Sequence, residues 1–385
     1  MRLLMITQDF PPETGGIQTY SMSHAKNLAG YCDWFGVICP DKPNASKTDK
    51  NLDFDIKRLK ARNDLLIFSL LTKLNGILEQ RQVDATFHSQ WQTAAAGIRA
   101  REKGLIKKVF VAAHIRELLF NPFESYPVLS GIFRRYRDRT LMEVDHFYPV
   151  SEYTAGVLKK LGIQESRITV IINGTDPEQF FPVNSVPLRK KLGLEKKKVL
   201  LTITRLVERK GIDTVLASLP RVLSHIPDVH YLIIGDGDDR LRLQKLVKYH
   251  QLESKVTFTG RVPYDELNDF YNAADLFVMP SKTQIPDVEG FGIVFLEANA
   301  CGLPVIGSDS GGIPSAIRDG VTGYIVPEAN HEKLAEKIIE LFNNPKGLKQ
   351  LGLQGREWVT KEANWSRLSR KLFDDMNVRL LNRVR

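Results

Sequence analysis

The chain has 385 residues, 43% apolar and 26% charged, with ordinary amounts of glycine and proline. That length allows two or three domains, and the composition excludes collagen-like, low-complexity and largely disordered chains. Basic residues exceed acidic ones by nine, +4 over residues 1–180 and +5 over the rest; an even spread of this kind suits an anionic small molecule or surface and gives no concentrated stripe for nucleic acid.

The opening MRLLMITQDFPP is a short apolar run that stops at Pro11, so no secretory leader is expected. Leu3–Thr7 reads as a strand and Ile17 onward as a helix. Strand-like runs follow at 34–40, 83–88, 109–114, 145–151 and 168–173, several of them separated by helical patterns. A second series begins at 198–204 and continues at 229–235, 255–260, 275–280, 304–308 and 323–327. Runs apolar along their length suit parallel sheets covered on both faces. Two such series predict two doubly wound α/β domains. The proline-rich stretch 173–187 separates them, giving a first domain over 1–176 and a second over 177–364, with a final helical segment, 365–385, able to pack back on the first. No run reaches the length of a membrane-spanning helix. Cys32, Cys39 and Cys301 show no metal-ligand spacing and fit a reduced, cytoplasmic setting.

Ligands of open α/β sheets bind beyond the carboxyl ends of the strands, and with two such domains the expected site is the cleft they face. Gly15 and Gly16 precede the helix at Ile17, where exposed N–H groups favour an anion such as phosphate; a plain helix entry is the other reading. Arg205 and Lys210 lie in the loop TRLVERKG after the first strand of the second series, as phosphate ligands or as solvated surface cations. Glu289 stands beside Gly290 and Gly292 at a helix entrance, with Glu297 eight positions on. That spacing is about two helical turns and puts both carboxylates on one face, a fit to a polyhydroxylated ligand or to a capping and a surface acid. His114 ends a strand, a place for a reacting group or for a structural histidine; His88, also at a strand end, is the weaker candidate. Gly235-Asp236-Gly237 lacks the third glycine of a dinucleotide fingerprint, and the D-x-D matches at 236–238 and 53–55 have no supporting cluster, so no metal site is expected.

Together FPPETGGIQTY (10–20), His114, PVSEYT (149–154), VIINGTD (170–176), TRLVERKG (204–211), the Glu-x7-Glu of 289–297, CGLPVIGSDSGGIP (301–314) and DGVTGYIV (319–326) resemble the retaining glycosyltransferases of family 4, which have the GT-B fold. Asp287–Gly290 and Ile17–Tyr20 look most like the GDP-mannose-dependent phosphatidylinositol mannoside mannosyltransferases. The resemblance implies two Rossmann-like domains facing a cleft, and transfer of a hexose, mannose from GDP-mannose, to a lipid-linked or glycan hydroxyl. It implies no cofactor and no metal, the nucleotide sugar being a co-substrate. His114, Arg205, Lys210 and Glu289 are the implied catalytic set. Gly15 and Gly16 would approach the donor diphosphate, and Arg205 and Lys210 would neutralise it. Glu297 would hold the ribose, Arg261 would lie beside the base, and Glu289 with the backbone of Phe291, Gly292 and Ile293 would hold the sugar. The sequence departs from the family pattern at Thr204 and Ile115, where relatives commonly carry glycine, and at Ser315, where they carry glutamate. A UDP-sugar-dependent transferase, a GT-B epimerase and a non-catalytic nucleotide-sugar-binding protein are the competing readings.

Two basic and apolar segments suggest an anionic membrane surface. One is 118–139, with Arg134, Arg135, Arg137 and Arg139; the other is Leu65–Leu78, preceded by Lys57, Arg58, Lys60 and Arg62. The implied setting is the cytoplasm, peripheral on the inner face of the plasma membrane.

Overall fold

The structure, a computed structural model, describes residues 1–381, and of Asp64 the backbone alone. Residues 382–385 of the expected last helix lie outside the described residues. The chain divides into two compact units, Met1–Asn173 with the segment from Trp365 onward, and Gly174–Asn364.

Unit 1 holds strands β1 (Arg2–Ile6), β2 (Trp34–Pro40), β3 (Asp55–Leu59), β4 (Ala85–His88), β5 (Lys108–Ala113) and β6 (His146–Pro149). All pair in parallel, in the order β3-β2-β1-β4-β5-β6. Unit 2 repeats the plan with β7 (Lys198–Ile203), β8 (Val229–Ile234), β9 (Val256–Gly260), β10 (Leu276–Met279), β11 (Val305–Ser308) and β12 (Gly323–Val326), ordered β12-β11-β10-β7-β8-β9. Each is the 3-2-1-4-5-6 order of a Rossmann sheet. In each, the first three strands run outward in one direction and the fourth returns to the other side of the first. Two adjacent strand ends then diverge into opposite crossovers, β1 beside β4 and β7 beside β10, which is where such sheets take ligands.

The central strands are buried on both faces, which explains their unbroken apolar runs. One core of unit 1 gathers Leu4, Ile38, Leu70, Leu74, Val111 and Phe147; one of unit 2 gathers Leu200, Val215, Leu219, Tyr231, Val278 and Ile338.

Two expectations change. Residues 168–173 form no sheet strand; a single bridge joins Ile168 to Phe147. The edge strand β3, by contrast, went unseen in the sequence because DIKRL has the charged alternation of a half-exposed edge. The helix Trp365–Leu381 packs on the helix Gly16–Ala29 of unit 1. Trp365 sets its ring edge-on to Tyr20 and His24, and Ser369 Oγ lies 2.9 Å from His24 Nδ1. Trp365→Ala removes this anchor and is expected to lower stability by about 3–5 kcal/mol. Urea unfolding checks it; an unshifted midpoint would contradict the packing role.

Candidate active site

In unit 2 the β7 loop is placed by two close backbone approaches. Thr204 and Leu206 donate their N–H groups to the carbonyls of Ile234 and Asp236, both at 3.0 Å. A Cβ at Gly235 would fall 1.8 Å from the Thr204 carbonyl oxygen, so the Gly-Asp-Gly sequence serves this contact. Thr204 itself is not in the left-handed region, so threonine fits where relatives carry glycine. Arg205 projects from this stapled loop and is exposed. Six residues on, Gly211 takes φ 69°, where a Cβ would lie 1.9 Å from the Pro280 carbonyl oxygen. This contact brings the 3-10 turn Glu208–Lys210 against the end of β10.

The ion cluster at β7 and β10 forms there. Arg209 Nη1 donates to Glu289 Oε2 at 2.9 Å, and Lys210 Nζ donates to the same oxygen. Arg209 also pairs with Asp287 at 2.9 Å. Burial would raise the Glu289 carboxyl, but the charges of Lys210 and Arg209 outweigh it and hold it at about 2. Burial lowers the Lys210 ammonium below its ordinary value, the Glu289 charge opposing and the Arg209 and Arg205 charges adding to the shift.

Glu297 has separate partners. It is buried in the helix Ile293–Ala300, where Tyr264 donates to Oε1 at 3.2 Å and Tyr271 to Oε2 at 2.6 Å. Burial raises its carboxyl, and the two tyrosine hydrogen bonds oppose the shift. Glu289 and Glu297 do not share one helix face, as their spacing alone would suggest. Gly292 caps the helix with φ 92°, so Glu289 lies before the first turn and the eight-residue spacing is not two turns of helix. Among the described residues no side chain caps this helix, which leaves the N–H groups of its first turn, at Ile293 and Val294, pointing past Phe291 and Gly292. Arg261 is exposed, one residue beyond β9 and three before Tyr264.

In unit 1, Gly15 and Gly16 open the helix Gly16–Ala29, again without a side-chain cap among the described residues. A Cβ on Gly16 would meet no described atom within 4 Å, so internal packing does not demand this glycine. The approach to it is fixed by Asp9, which accepts from Gln18 at 3.1 Å and from Gln90 at 2.5 Å. Gln90 follows β4, so this pair joins the two diverging strand ends.

His114 follows β5. Its ring stands edge-on to Tyr20, 4.6 Å between centroids, and Nε2 has no partner among the described residues. Burial pushes its pKa down to about 4, against a hydrogen bond with the Ser89 backbone, so the imidazole is neutral at pH 7. The next residue, Ile115, has φ 80° and ψ −58°. A β-branched residue there carries strain on the order of 1–3 kcal/mol. His88 is structural, held between Thr93 and Thr86 at 2.8 and 3.0 Å. Among the described residues no three His, Cys, Asp or Glu side chains gather as a metal-binding group.

The structure thus joins Glu289 to Lys210, with Arg205 near enough to act on Lys210. It gives Glu297 its own tyrosine pair, and in unit 1 it sets Gly15 and Gly16 at a helix entrance and His114 at a strand end. Arg209, Tyr264, Tyr271 and Asp9 escaped the sequence reading. Arg209 had one signal, its place beside Lys210 in the same strand-to-helix loop. The Glu289 pKa gives a stability test. A carboxyl held below its ordinary value stabilises the fold above that value and loses the contribution as pH falls from 4.5 toward 2. The parent is expected to lose stability across that window more steeply than Glu289→Gln in chemical unfolding; parallel curves would contradict the ion cluster.

Residues 14–179 match the family described as Glycosyltransferase Family 4, and residues 186–358 match Glycosyl transferases group 1. A GDP-mannose-dependent alpha-(1-6)-phosphatidylinositol monomannoside mannosyltransferase of Mycobacterium tuberculosis is 31% identical, over 97% of this chain and 97% of its own. A GDP-mannose-dependent monoacylated alpha-(1-6)-phosphatidylinositol monomannoside mannosyltransferase of Corynebacterium glutamicum is also 31% identical, over 96% of each. The crystal structure of HepE from Anabaena, in complex with UDP, matches with a TM-score of 0.81 at 17% identity, over 98% of this chain and 100% of that one, a likeness of fold. With two Rossmann sheets, family matches over both units and relatives aligned along nearly the whole length, the chain belongs to the family 4 glycosyltransferases of GT-B fold.

Proposed function

We propose that the protein transfers mannose from GDP-mannose to a hydroxyl of a lipid-linked or glycan acceptor, with retention of configuration and no metal. The donor assignment is carried by the 31% identity, over almost the full length, to relatives named for GDP-mannose.

The chemistry is carried by the ion cluster. As the glycosidic bond breaks, negative charge grows on the departing diphosphate. Arg205 and Lys210 meet that charge, and Lys210, already held in place by Glu289, lowers the barrier without having to reorganise. The N–H groups opening the helices at Gly16 and Ile293 add fixed partial positive charge. Glu289 gives Oε2 to its two cations, and in this reading Oε1 accepts from a hydroxyl of the donor sugar. Glu297, kept in place by two tyrosines, holds the ribose, and Arg261 flanks the base. His114 meets the sugar as a neutral imidazole.

Retention follows if the acceptor attacks from the face that the diphosphate leaves, with a departing phosphate oxygen taking the acceptor proton. A thermal-shift panel of GDP-mannose, UDP-glucose and UDP-N-acetylglucosamine tests the donor; stabilisation by a UDP-sugar alone would overturn GDP-mannose. Arg205→Ala is expected to cost on the order of 10²–10³ in kcat, measured with EDTA present; an inverted product or a metal requirement would count against the mechanism.

The acceptor reading draws on one surface of unit 1. Among the described residues no helix is long and apolar enough to cross a membrane. The helix Pro127–Glu143 nevertheless exposes Val128, Leu129 and Ile132 together with Arg134, Arg135 and Arg139. We propose that this face rests on anionic lipid beside the acceptor. Two expected cations drop out. Arg137 is buried and donates to the Leu118 carbonyl, and Arg58 is tied to Asp49 and to two backbone carbonyls. Neutralising Arg134, Arg135 and Arg139 should weaken co-sedimentation with phosphatidylserine vesicles by about 1 kcal/mol per arginine; unchanged binding would remove the surface from the reading.

A further inference from the structure

The turn that carries His114 is held far more firmly than a strand end requires. Arg116 N–H donates to the His114 carbonyl at 3.2 Å, closing a γ-turn over Ile115 at φ 80° and ψ −58°. This hand of γ-turn is the rare, strained one, and Ile115 is 1% exposed, so its surroundings must enforce it. Three buried groups do so. Glu117 Oε1 accepts the His114 N–H at 2.6 Å. Trp91 Nε1 donates to the Glu117 carbonyl at 2.8 Å, and Arg137 Nη1 to the Leu118 carbonyl at 2.9 Å. Trp91 and Arg137 hold the far side of the turn, and Glu117 alone reaches across the strained residue to the histidine.

A backbone N–H needs only an acceptor, and an amide side chain would supply one. Glu117 instead places a whole carboxyl in the interior, 8% exposed, with Oε2 unpartnered among the described residues. A charged acceptor makes the stronger hydrogen bond, at the expense of burying charge.

We propose that Glu117 is the positioning residue for His114, its carboxylate locking the strained Ile115 turn through the His114 N–H so that the imidazole keeps a single orientation. The proposal rests on reading His114 as a residue of the reaction centre. Burial raises the Glu117 carboxyl to about 7; the charge of Asp9, from the loop after β1, adds to the shift, while the N–H groups of His114 and Glu117 and the charge of Arg116 oppose it. Arg137, from the helix behind, is occupied by the Leu118 carbonyl and by Asp138. The lock therefore strengthens as pH rises through 7, while His114, at about 4, stays neutral throughout.

Two measurements separate this proposal from the reading beneath it. In protein labelled at histidine Cε1, the His114 signal, assigned with His114→Ala, should shift with an inflection near pH 7 that Glu117→Gln abolishes; an inflection surviving in Glu117→Gln would overturn the lock without touching the glycosyltransferase assignment. In GDP-mannose turnover, Glu117→Ala should lower kcat by about 10²-fold with little change in donor KM. Glu117→Gln should recover most of that loss at pH 6 but lack the rise in kcat toward pH 8. Ile115→Gly placed in the Glu117→Ala background should restore activity several-fold, because glycine takes φ 80° without strain. Full kcat in Glu117→Ala, with kcat lost in His114→Ala, would overturn the positioning role alone. Full kcat in His114→Ala would overturn both.

Discussion

A single carboxylate oxygen, Glu289 Oε2, carries the charge balance on which unit 2's site depends. Two adjacent cations face it, Arg209 and Lys210, both largely withdrawn from water. Neighbouring buried cations repel, and burial alone would drive the lysine toward its neutral form. The shared anion opposes that shift at Lys210 and fixes the direction of both side chains. Its removal therefore reaches further than the loss of one hydrogen bond, because Lys210 would lose its counter-charge and Arg209 would keep Asp287 alone. The backbone serves the same end. Gly211 lets the β7 loop come down on Pro280, and Gly235 lets β8's loop support Thr204, so the two sides of the ion pair meet at the divergence of β7 and β10.

Unit 1 solves the same topological problem with different means. Its diverging strands, β1 and β4, are joined by the Asp9–Gln90 hydrogen bond, with no cation involved. The nearby histidine is neutral, kept so by burial and not by a partner charge. Electrostatic preorganisation and backbone strain are both ways of preventing rearrangement when a reaction begins. One unit holds its charges by pairing them and the other holds an uncharged group by constraining the turn beneath it.

Much of the architecture was legible in the sequence, and the reasons are local. Buried parallel strands leave long apolar runs, so eleven of the twelve sheet strands were visible, and the charged edge strand β3 was not. The motif glycines, Glu289, Lys210 and His114 could be named because each sits in the loop after a strand or at a helix entrance, and Glu297 by its spacing from Glu289. Their partners could not. Arg209 meets Glu289 across 80 positions, and Tyr271 meets Glu297 across 26, distances that no periodicity spans. Helical spacing also misled at Glu289, since Gly292 in the left-handed region delays the helix until Ile293. Ile115 shows the opposite failure. The substitution of a glycine position was visible, but only the backbone angles reveal that isoleucine keeps the conformation glycine would adopt freely.

The helix Trp365–Leu381 belongs to unit 1 but is encoded after the whole of unit 2. On the ribosome, chains emerge from the N-terminus at roughly 5–20 residues per second, and domains fold as units. The strands of unit 1 are therefore all synthesised well before the ring of Trp365 that closes over Tyr20 and His24. Tyr20 is the side chain against which His114 stands. During those seconds of translation the nascent unit has its sheet but not its finished histidine pocket, and the apolar face of Gly16–Ala29 that the helix covers stays open. That pocket is then completed only after unit 2 has been made, so a chain that stops short inside unit 2 leaves the ribosome without it.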